Sequence, residues 1–469
     1  MRLIIPVLLG SLDGNVTLSN CLDKKSLKIH CLQVREAHRV FWNGPTFGDP
    51  ESQEGHAARI AADRESILNQ QRTVGVGLIS VGWMGKLHAR AYSSVPYVYP
   101  ELGIKPRLVV AADTEQSRVD YAISTLGFER GTLDYHEVLA DPEVDVVSIC
   151  APNFLHAEMA IAAAEAGKHF WIEKPAGRSL AETQSIEQAV ARNGVETSVG
   201  FNYRHAPAIE RARQLVGDGR LGEITNVRAS FLAGYAADPR AALSWRFNRE
   251  LAGSGVLADL FSHAVDLCSH VVGSIQSISA ATNVMIPARP KLSMGQGTHF
   301  DLIEGGEMGE VENEDYAAAL VRFSPEGLAQ RAIGTIEASR VAIGPQCGYR
   351  LEIYGTEGSV KWDYERLNEL EVVLGRNNEE QGFTTVIGSP GHGEYSRFQP
   401  GPGNAMGFDD LKIIEAKKFL LAVCGGEKTN STIADAVAAA ALVEAAEKSA
   451  ATGDWQQAGK PAQGQKMQY

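Results

Sequence analysis

The chain is short of several features that would assign its role at once. Its six cysteines (Cys21, Cys31, Cys150, Cys268, Cys347 and Cys424) are widely scattered and form no C-x-x-C pair. That pattern argues against a disulfide framework or a zinc site, and for reduced thiols in the cytoplasm. Positive charge is scarce: 44 Lys and Arg face 57 Asp and Glu, a formal net charge of −13. Neither a nucleic acid nor an anionic membrane surface is therefore an expected partner. No apolar run approaches the ~20 residues that cross a bilayer. The apolar start, Met1 to Gly10, is interrupted by Pro6 and followed by no clean small-x-small site, which argues against an export signal. Internal repeats and long low-complexity segments are lacking too.

What is present is an ordinary globular composition, 44% hydrophobic and 22% charged over 469 residues. Single cores stop growing at roughly 250–300 residues, so this length implies two domains. Residues 1–72 show no sustained periodicity and carry turn signals at Asn43-Gly44-Pro45 and Gly48-Asp49-Pro50. We read them as a poorly ordered extension.

From Val74 short apolar runs alternate with helical stretches. Val74–Ile79 precedes Met84–Ser94, Leu108–Ala112 precedes Glu115–Leu126, and Val144–Ile149 precedes His156–Ala166. His169–Ile172, Leu180–Arg192 and Thr197–Phe201 continue the series. Strand–helix alternation with continuously apolar strands predicts a parallel sheet covered on both faces. After Pro207 consecutive alternating strands dominate, with helices predicted at Ile209–Asp218 and Val256–Val272. This texture predicts a mostly antiparallel sheet with helices on one face. Pro287–Glu310 reads as a Gly-rich loop long enough to suspect function or disorder. An amphipathic helix near Asp409–Cys424 and an Ala-rich helix at Ile433–Ala451 close the fold.

Chemistry concentrates at predicted strand ends. The first strand runs into Ser80-Val81-Gly82-Trp83-Met84-Gly85, a dinucleotide fingerprint with its first glycine replaced by serine. Gly82 would let the backbone approach a pyrophosphate, and Gly85 would let the helix pack tightly on the strand. The second strand ends at Asp113, placed to accept hydrogen bonds from a ribose diol and to repel a 2′-phosphate. Arg118, one turn on, could instead welcome that phosphate. The Val144–Ile149 strand runs out at Pro152-Asn153, with His156 following; Asn153 reads as a helix N-cap or as a wall of the nicotinamide-ribose pocket.

The His169–Ile172 strand stops at Glu173-Lys174-Pro175, where the proline forbids simple continuation and the lysine lies where open α/β sheets present ligands. Far downstream, Asp259, His263 and Asp266 recur at i, i+4 and i+7, which predicts one polar stripe on an apolar helix. A core histidine capped by an aspartate and a ligand-facing cluster both fit that stripe. A metal is not expected, because no H-x-H or C-x-x-C partner completes a ligand set.

Together these residues resemble the Gfo/Idh/MocA family, named after glucose–fructose oxidoreductase, inositol dehydrogenase and a rhizopine-catabolism protein. The resemblance rests on the Gly82/Gly85 turn, Pro152-Asn153 with His156, Glu173-Lys174-Pro175, Tyr203-Arg204, the Asp259/His263 helix and Ile353-Tyr354-Gly355-Thr356-Glu357-Gly358. Within the family the chain is most similar to levoglucosan-dehydrogenase and inositol-dehydrogenase-like members, through Ala242 to Phe247, Ala252 to Gly255 and Lys412 to Ala416.

The resemblance implies an N-terminal Rossmann NAD(P)-binding domain over residues 73–205 and an α+β substrate and oligomerisation domain over 206–455. The last helices of the second would pack back toward the first, and 456–469 would be a tail. It implies NAD as cofactor, with NADP as the alternative, bound by Ser80, Gly82, Trp83, Met84, Gly85, Asp113, Pro152, Asn153, His156, Glu173 and Lys174. It also implies oxidation of a ring hydroxyl of a sugar, anhydrosugar or cyclic polyol. His263 would be the general base with Asp259 as its helper or orienting partner, and Lys174 would hold the substrate oxygen. Tyr203, Arg204, Trp245 and Arg246 would form the sugar-facing wall. Redox-assisted glycoside cleavage and a non-catalytic dinucleotide-binding regulator are the alternatives. A homodimer or homotetramer is implied as well.

Overall fold

The computed structural model describes residues 72–292, 301–376, 382–425 and 431–458. The extension expected over 1–72 lies outside them except for Arg72, as does the tail beyond residue 458.

Six parallel strands build the first sheet: β1 (Arg72–Ile79), β2 (Ile104–Ala112), β3 (Arg130–Thr132), β4 (Val146–Ile149), β5 (His169–Ile172) and β6 (Thr197–Val199). Their spatial order is β3-β2-β1-β4-β5-β6. β4 is buried at every position and β5 at all but its first, the signature of a sheet covered on both faces. The covering helices are α1 (Trp83–Val98), α2 (Gln116–Tyr121), α3 (Tyr135–Ala140), α4 (Asn153–Glu165) and α5 (Leu180–Asn193). Sequence periodicity passes over β3 and α3 because three and six residues are too few to show a period. The strand order reverses between β1 and β4, which opens a crevice above their carboxyl ends.

The second sheet has nine strands in the order β16-β15-β14-β13-β7-β12-β11-β8-β17. Its inner strands are β7 (Ile224–Leu232), β8 (Ile275–Asn283), β11 (Tyr316–Phe323), β12 (Ile333–Ser339), β13 (Gly348–Gly355), β14 (Gly358–Asp363) and β15 (Glu369–Leu374). Neighbours are antiparallel apart from β7 and β12. The edges, β16 (Thr384–Ile387) and β17 (Gln456–Gln457), were not expected; β17 draws the start of the predicted tail into the sheet beside β8. The predicted loop Pro287–Glu310 is also corrected. Its base is an antiparallel pair, β9 (Ala288–Pro290) with β10 (Met308–Glu310), and residues 293–300 lie outside the described ones.

Helices α6 (Pro207–Gly217), α7 (Arg249–Ala252), α8 (Ser262–Val271), α9 (Tyr395–Phe398), α10 (Phe408–Val423) and α11 (Ile433–Thr452) complete the chain. Among the described residues one segment, Arg249–Val271, matches a bilayer span in length and hydropathy, but 83% of that window is buried in the protein, as in a core helix. α10 belongs to the first sheet's core: Ile413, Ala416, Phe419 and Leu420 pack with Tyr92, Val95 and Trp171.

Arg204 does not join a sugar-facing wall. Its guanidinium is buried, Nε donates to Asp266 Oδ2 at 2.9 Å, and Nη2 donates to Asp266 Oδ1 and to Asp435 Oδ1. The charge thus ties α8 to α11, and it accounts for Asp266 on the predicted polar stripe. Arg204→Met leaves the Asp266 carboxylate buried without its cation and is expected to cost about 3–5 kcal/mol. Urea denaturation measures this; a native midpoint with a raised sugar KM would restore the wall assignment.

Candidate active site

The crevice at the strand reversal begins with Ser80, the one non-glycine residue of positive φ among those described, at +76°. Serine therefore adopts the left-handed turn for which glycine is the usual choice. Two bonds hold it: Ser80 N–H donates to Ala112 O at 2.8 Å, and Val81 N–H to Asp113 Oδ2 at 2.8 Å. A Cβ on Gly85 would stand 2.1 Å from Ser80 O, so only glycine lets α1 approach β1 this closely. Gly82 caps α1 without a side-chain bond, and no acidic residue sits in the first turn. Its amides and positive dipole end are therefore open to an anion. Asp113 is buried and braces the same turn, with Arg118 Nη1 3.6 Å from its Oδ1. These features fit a dinucleotide: open amides for phosphates and a carboxylate for a ribose diol.

On the other side of the crevice, Lys174 leaves the end of β5 and points across to the second sheet's helices. Its Nζ donates to Asp259 Oδ1 and to Asp259 O, both at 2.9 Å. Asp259 lies in a π-wound turn, Leu257–Phe261, that leads into α8. Its second oxygen, Oδ2, accepts from Tyr235 OH at 2.5 Å, and Arg246 Nη1 is 4.0 Å from Oδ1. Burial pushes the Asp259 carboxyl upward, but the Lys174 and Arg246 charges and the Tyr235 bond overcome this and hold it well below the carboxylate range.

An ammonium has three donors, and Asp259 takes two of those on Lys174. The third is left for a ligand. His263 follows on α8, its ring edge-on to Tyr203 at 5.0 Å and Phe201 at 5.8 Å. Among the described residues no side-chain hydrogen bond engages its ring. Burial, reinforced by the Lys174 charge, lowers its pKa well below the usual 6.5, so the imidazole is neutral at ordinary pH.

Below Lys174 lies a buried charge network. Glu173 Oε1 accepts from His88 Nε2 at 2.9 Å and from Lys412 Nζ at 2.6 Å; Lys412 also reaches Glu415 Oε2 at 3.0 Å. Burial lowers the His88 pKa to about 4, so the ring is neutral, donates through Nε2 and takes its other contact at Nδ1 from Ser148 Oγ. Burial by itself would raise the Glu173 carboxyl; Lys412 and His88 reverse that and keep it ionised. Glu415, with less compensation, is pushed up to about 7.

Residues 74–201 match the family described as an oxidoreductase family with an NAD-binding Rossmann fold. Residues 209–361 match the GFO/IDH/MocA C-terminal domain. Levoglucosan dehydrogenase of Pseudarthrobacter phenanthrenivorans is 37% identical over 388 residues, covering 82% of this chain and 98% of that protein. The chain belongs to the Gfo/Idh/MocA oxidoreductase family. Inositol 2-dehydrogenase of Rhizobium meliloti is 27% identical over 383 residues, 81% of this chain and 97% of that protein. A solved levoglucosan dehydrogenase in complex with NADH and levoglucosan superimposes with a TM-score of 0.76 at 34% identity, covering 83% of this chain and all of that one.

Within this Gfo/Idh/MocA frame several expected site residues take other places. Asp259 is bonded to Lys174 and Tyr235 rather than to His263, so it orients the lysine. The π turn explains the difference, since it breaks the simple i, i+4 stripe. Glu173 turns its carboxylate into the protein, onto His88 and Lys412. His156 is buried, with Nδ1 2.7 Å from Pro175 O and Nε2 2.6 Å from Ala151 O; it ties two strand ends together. Tyr203 is enclosed by His263, Tyr349 and Tyr364, so it backs the histidine instead of forming an open wall.

Other candidates stay at the crevice. Pro152 caps α4 and Asn153 is its first, half-exposed residue, which removes the N-cap reading of Asn153. Trp83 is 70% exposed and stacks on Phe408 at 5.9 Å, with half-buried Met84 beside it. Trp245 is half-buried against Phe154, and the Arg246 guanidinium lies 4.5 Å from its ring centre. Tyr235 escapes sequence reading because it follows β7 with no motif around it. Lys412 and Glu415 carry resemblance but no signal that Lys412 bonds to Glu173 and Glu415.

A lowered His263 pKa fixes the sign of a pH effect. The neutral form persists below 6.5, so the acid limb of kcat/KM for alcohol oxidation is expected under pH 6.5, with no inflection between 6.5 and 8 from this group. A limb above pH 7 that vanishes in His263→Asn would contradict the assignment.

Proposed function

We propose that this oxidoreductase oxidises a ring hydroxyl of a sugar, anhydrosugar or cyclic polyol to the ketone, with NAD rather than NADP. The observation that carries the reading is the unspent third donor of Lys174, fixed over the crevice by Asp259 and beside a neutral histidine. Bound NAD supplies the hydride acceptor. Lys174 donates to the substrate oxygen and stabilises the negative charge that grows there as the proton leaves. His263 takes the hydroxyl proton at a ring nitrogen. Asp259 keeps the lysine aimed, and Tyr235 keeps Asp259 in place.

Trp245 and Arg246 supply an aromatic face and a donor, suited to the apolar faces and hydroxyls of a pyranose or inositol ring. The levoglucosan dehydrogenase relative, matched over 98% of its length, makes an anhydrohexose the first substrate to try. Asp113 supports NAD, because its buried carboxylate would meet a 2′-phosphate. A homodimer or homotetramer belongs to the same reading, with the open face of the second sheet, where Leu320 and Ile333 are exposed, as the pairing surface.

The test is NAD(P)H absorbance against anhydrosugars, inositols, and free and glycosidic hexoses with each cofactor. Lys174→Ala and His263→Ala are each expected to lower kcat by roughly two orders of magnitude. Unchanged turnover in either folded variant, or no oxidation of any polyol by the wild type, refutes the reading.

A further inference from the structure

Two buried arginines stand behind the substrate wall without touching the crevice. Arg289, on β9, and Arg340, just after β12, place their guanidinium groups over the Phe247 ring, 4.4 and 4.6 Å from its centre. Arg340 has a carboxylate partner, with Nε donating to Asp315 Oδ1 at 2.7 Å. Arg289 is in a different position. Among the described residues it makes no ion pair: Nη1 donates to Asp238 O at 2.8 Å, Nη2 donates to Ala236 O, and Nε is buried without a partner. Burying a guanidinium against carbonyls and one aromatic face is expensive in stability, and a neutral apolar residue would fill the space at lower cost.

What the arginines hold explains that cost. Ala236 and Asp238 lie one and three residues after Tyr235, the donor to Asp259. Phe247 directly follows Trp245 and Arg246. Asn313 completes the frame: its Nδ2 donates to Arg246 O at 3.0 Å, while its Oδ1 accepts from Arg340 Nη2 at 2.9 Å. The next residue, Glu314, accepts from Val256 N–H and Leu257 N–H, where the Asp259 turn begins. The β9–β10 hairpin also lies along the chain leading into the wall, since Leu243 N–H donates to Pro290 O at 2.8 Å.

We infer that Arg289, through its stack on Phe247 and its clamp on Ala236 and Asp238, is a positioning residue that sets substrate specificity by fixing Tyr235, Trp245 and Arg246. The inference rests on the proposed polyol oxidation for its substrate, but not for its structural content. Fixing a wall to within about an ångström matters, because misplacement on that scale costs on the order of 10²-fold in rate. The cofactor turn at Ser80–Gly85 has no bond to this frame and should be indifferent to it.

The experiment compares wild type, Arg289→Met and Phe247→Leu. Three readouts are taken: kcat and KM across the sugar and polyol panel, NADH affinity by fluorescence titration, and amide hydrogen exchange. In each variant the sugar KM is expected to rise about tenfold or more and the order of preferred substrates to change. NADH affinity should stay within about twofold, and exchange should quicken at 235–247 but not at 80–85. Arg289→Lys, which keeps the cation but not the fork, should recover part of the loss. Wild-type panel kinetics with wild-type exchange at 235–247 overturns the inference. So does a uniform loss of sugar and NADH binding with faster exchange everywhere, or the failure of both variants to fold, since each of these assigns the stack to general stability. If the wild type oxidises no polyol, the proposed function falls and the exchange comparison alone decides whether Arg289 positions these segments.

Discussion

At the carboxyl end of β5 a carboxylate is buried, and a lone buried charge there would cost several kcal/mol. Glu173 is tolerated because Lys412 and His88 both donate to the same oxygen, Oε1. Each donor comes from a different helix, α10 and α1, so one carboxylate pins two helices to the strand that delivers Lys174. Trp171, the last large ring of β5 before this point, fills the space under the network: His88 stacks on it at 3.4 Å and Lys412 lies over it at 5.2 Å. The chain direction at residue 174 is therefore set by charge pairing beneath it, before any ligand arrives.

That constraint carries into the crevice. Because β5 is held, Lys174 can span to the second sheet's helices and meet Asp259 there, a direct polar link between the two sheets. The π turn around Asp259 offers both its carboxylate and its carbonyl to one ammonium, an arrangement that an ordinary i to i+4 turn would not present so readily. Two bonds from Lys174 and a third from Tyr235 leave Asp259 little freedom. A rigid lysine with one spare donor is what preorganised stabilisation of an alkoxide requires.

Much of this arrangement is legible in the order of the amino acids. Five of the six parallel strands announce themselves by short apolar runs, and Ser80–Gly85, Asp113 and Lys174 all fall at strand ends, where chain order and local pattern coincide. Lys174, Asp259 and His263 stand out through motif resemblance and do converge on one crevice. Legibility fails where a residue's role depends on partners to which no sequence pattern links it. Arg204 looks like a donor for sugars but spends its charge on Asp266 and Asp435, and His156 looks like a cofactor contact but joins two carbonyls. Tyr235, Arg289 and Asn313 carry no local pattern at all.

The sequence by itself determined five of the six parallel strands and the glycine turn, because these follow from hydrophobic period and from residue types at strand ends, and family resemblance singled out Lys174, Asp259 and His263. Tertiary structure alone decided which charges are spent inside the protein and which remain for a ligand. The reason is physical: a charge's role is set by its desolvation and its partners, and the partners of Arg204 and Glu173 lie from 62 to 239 residues away along the chain.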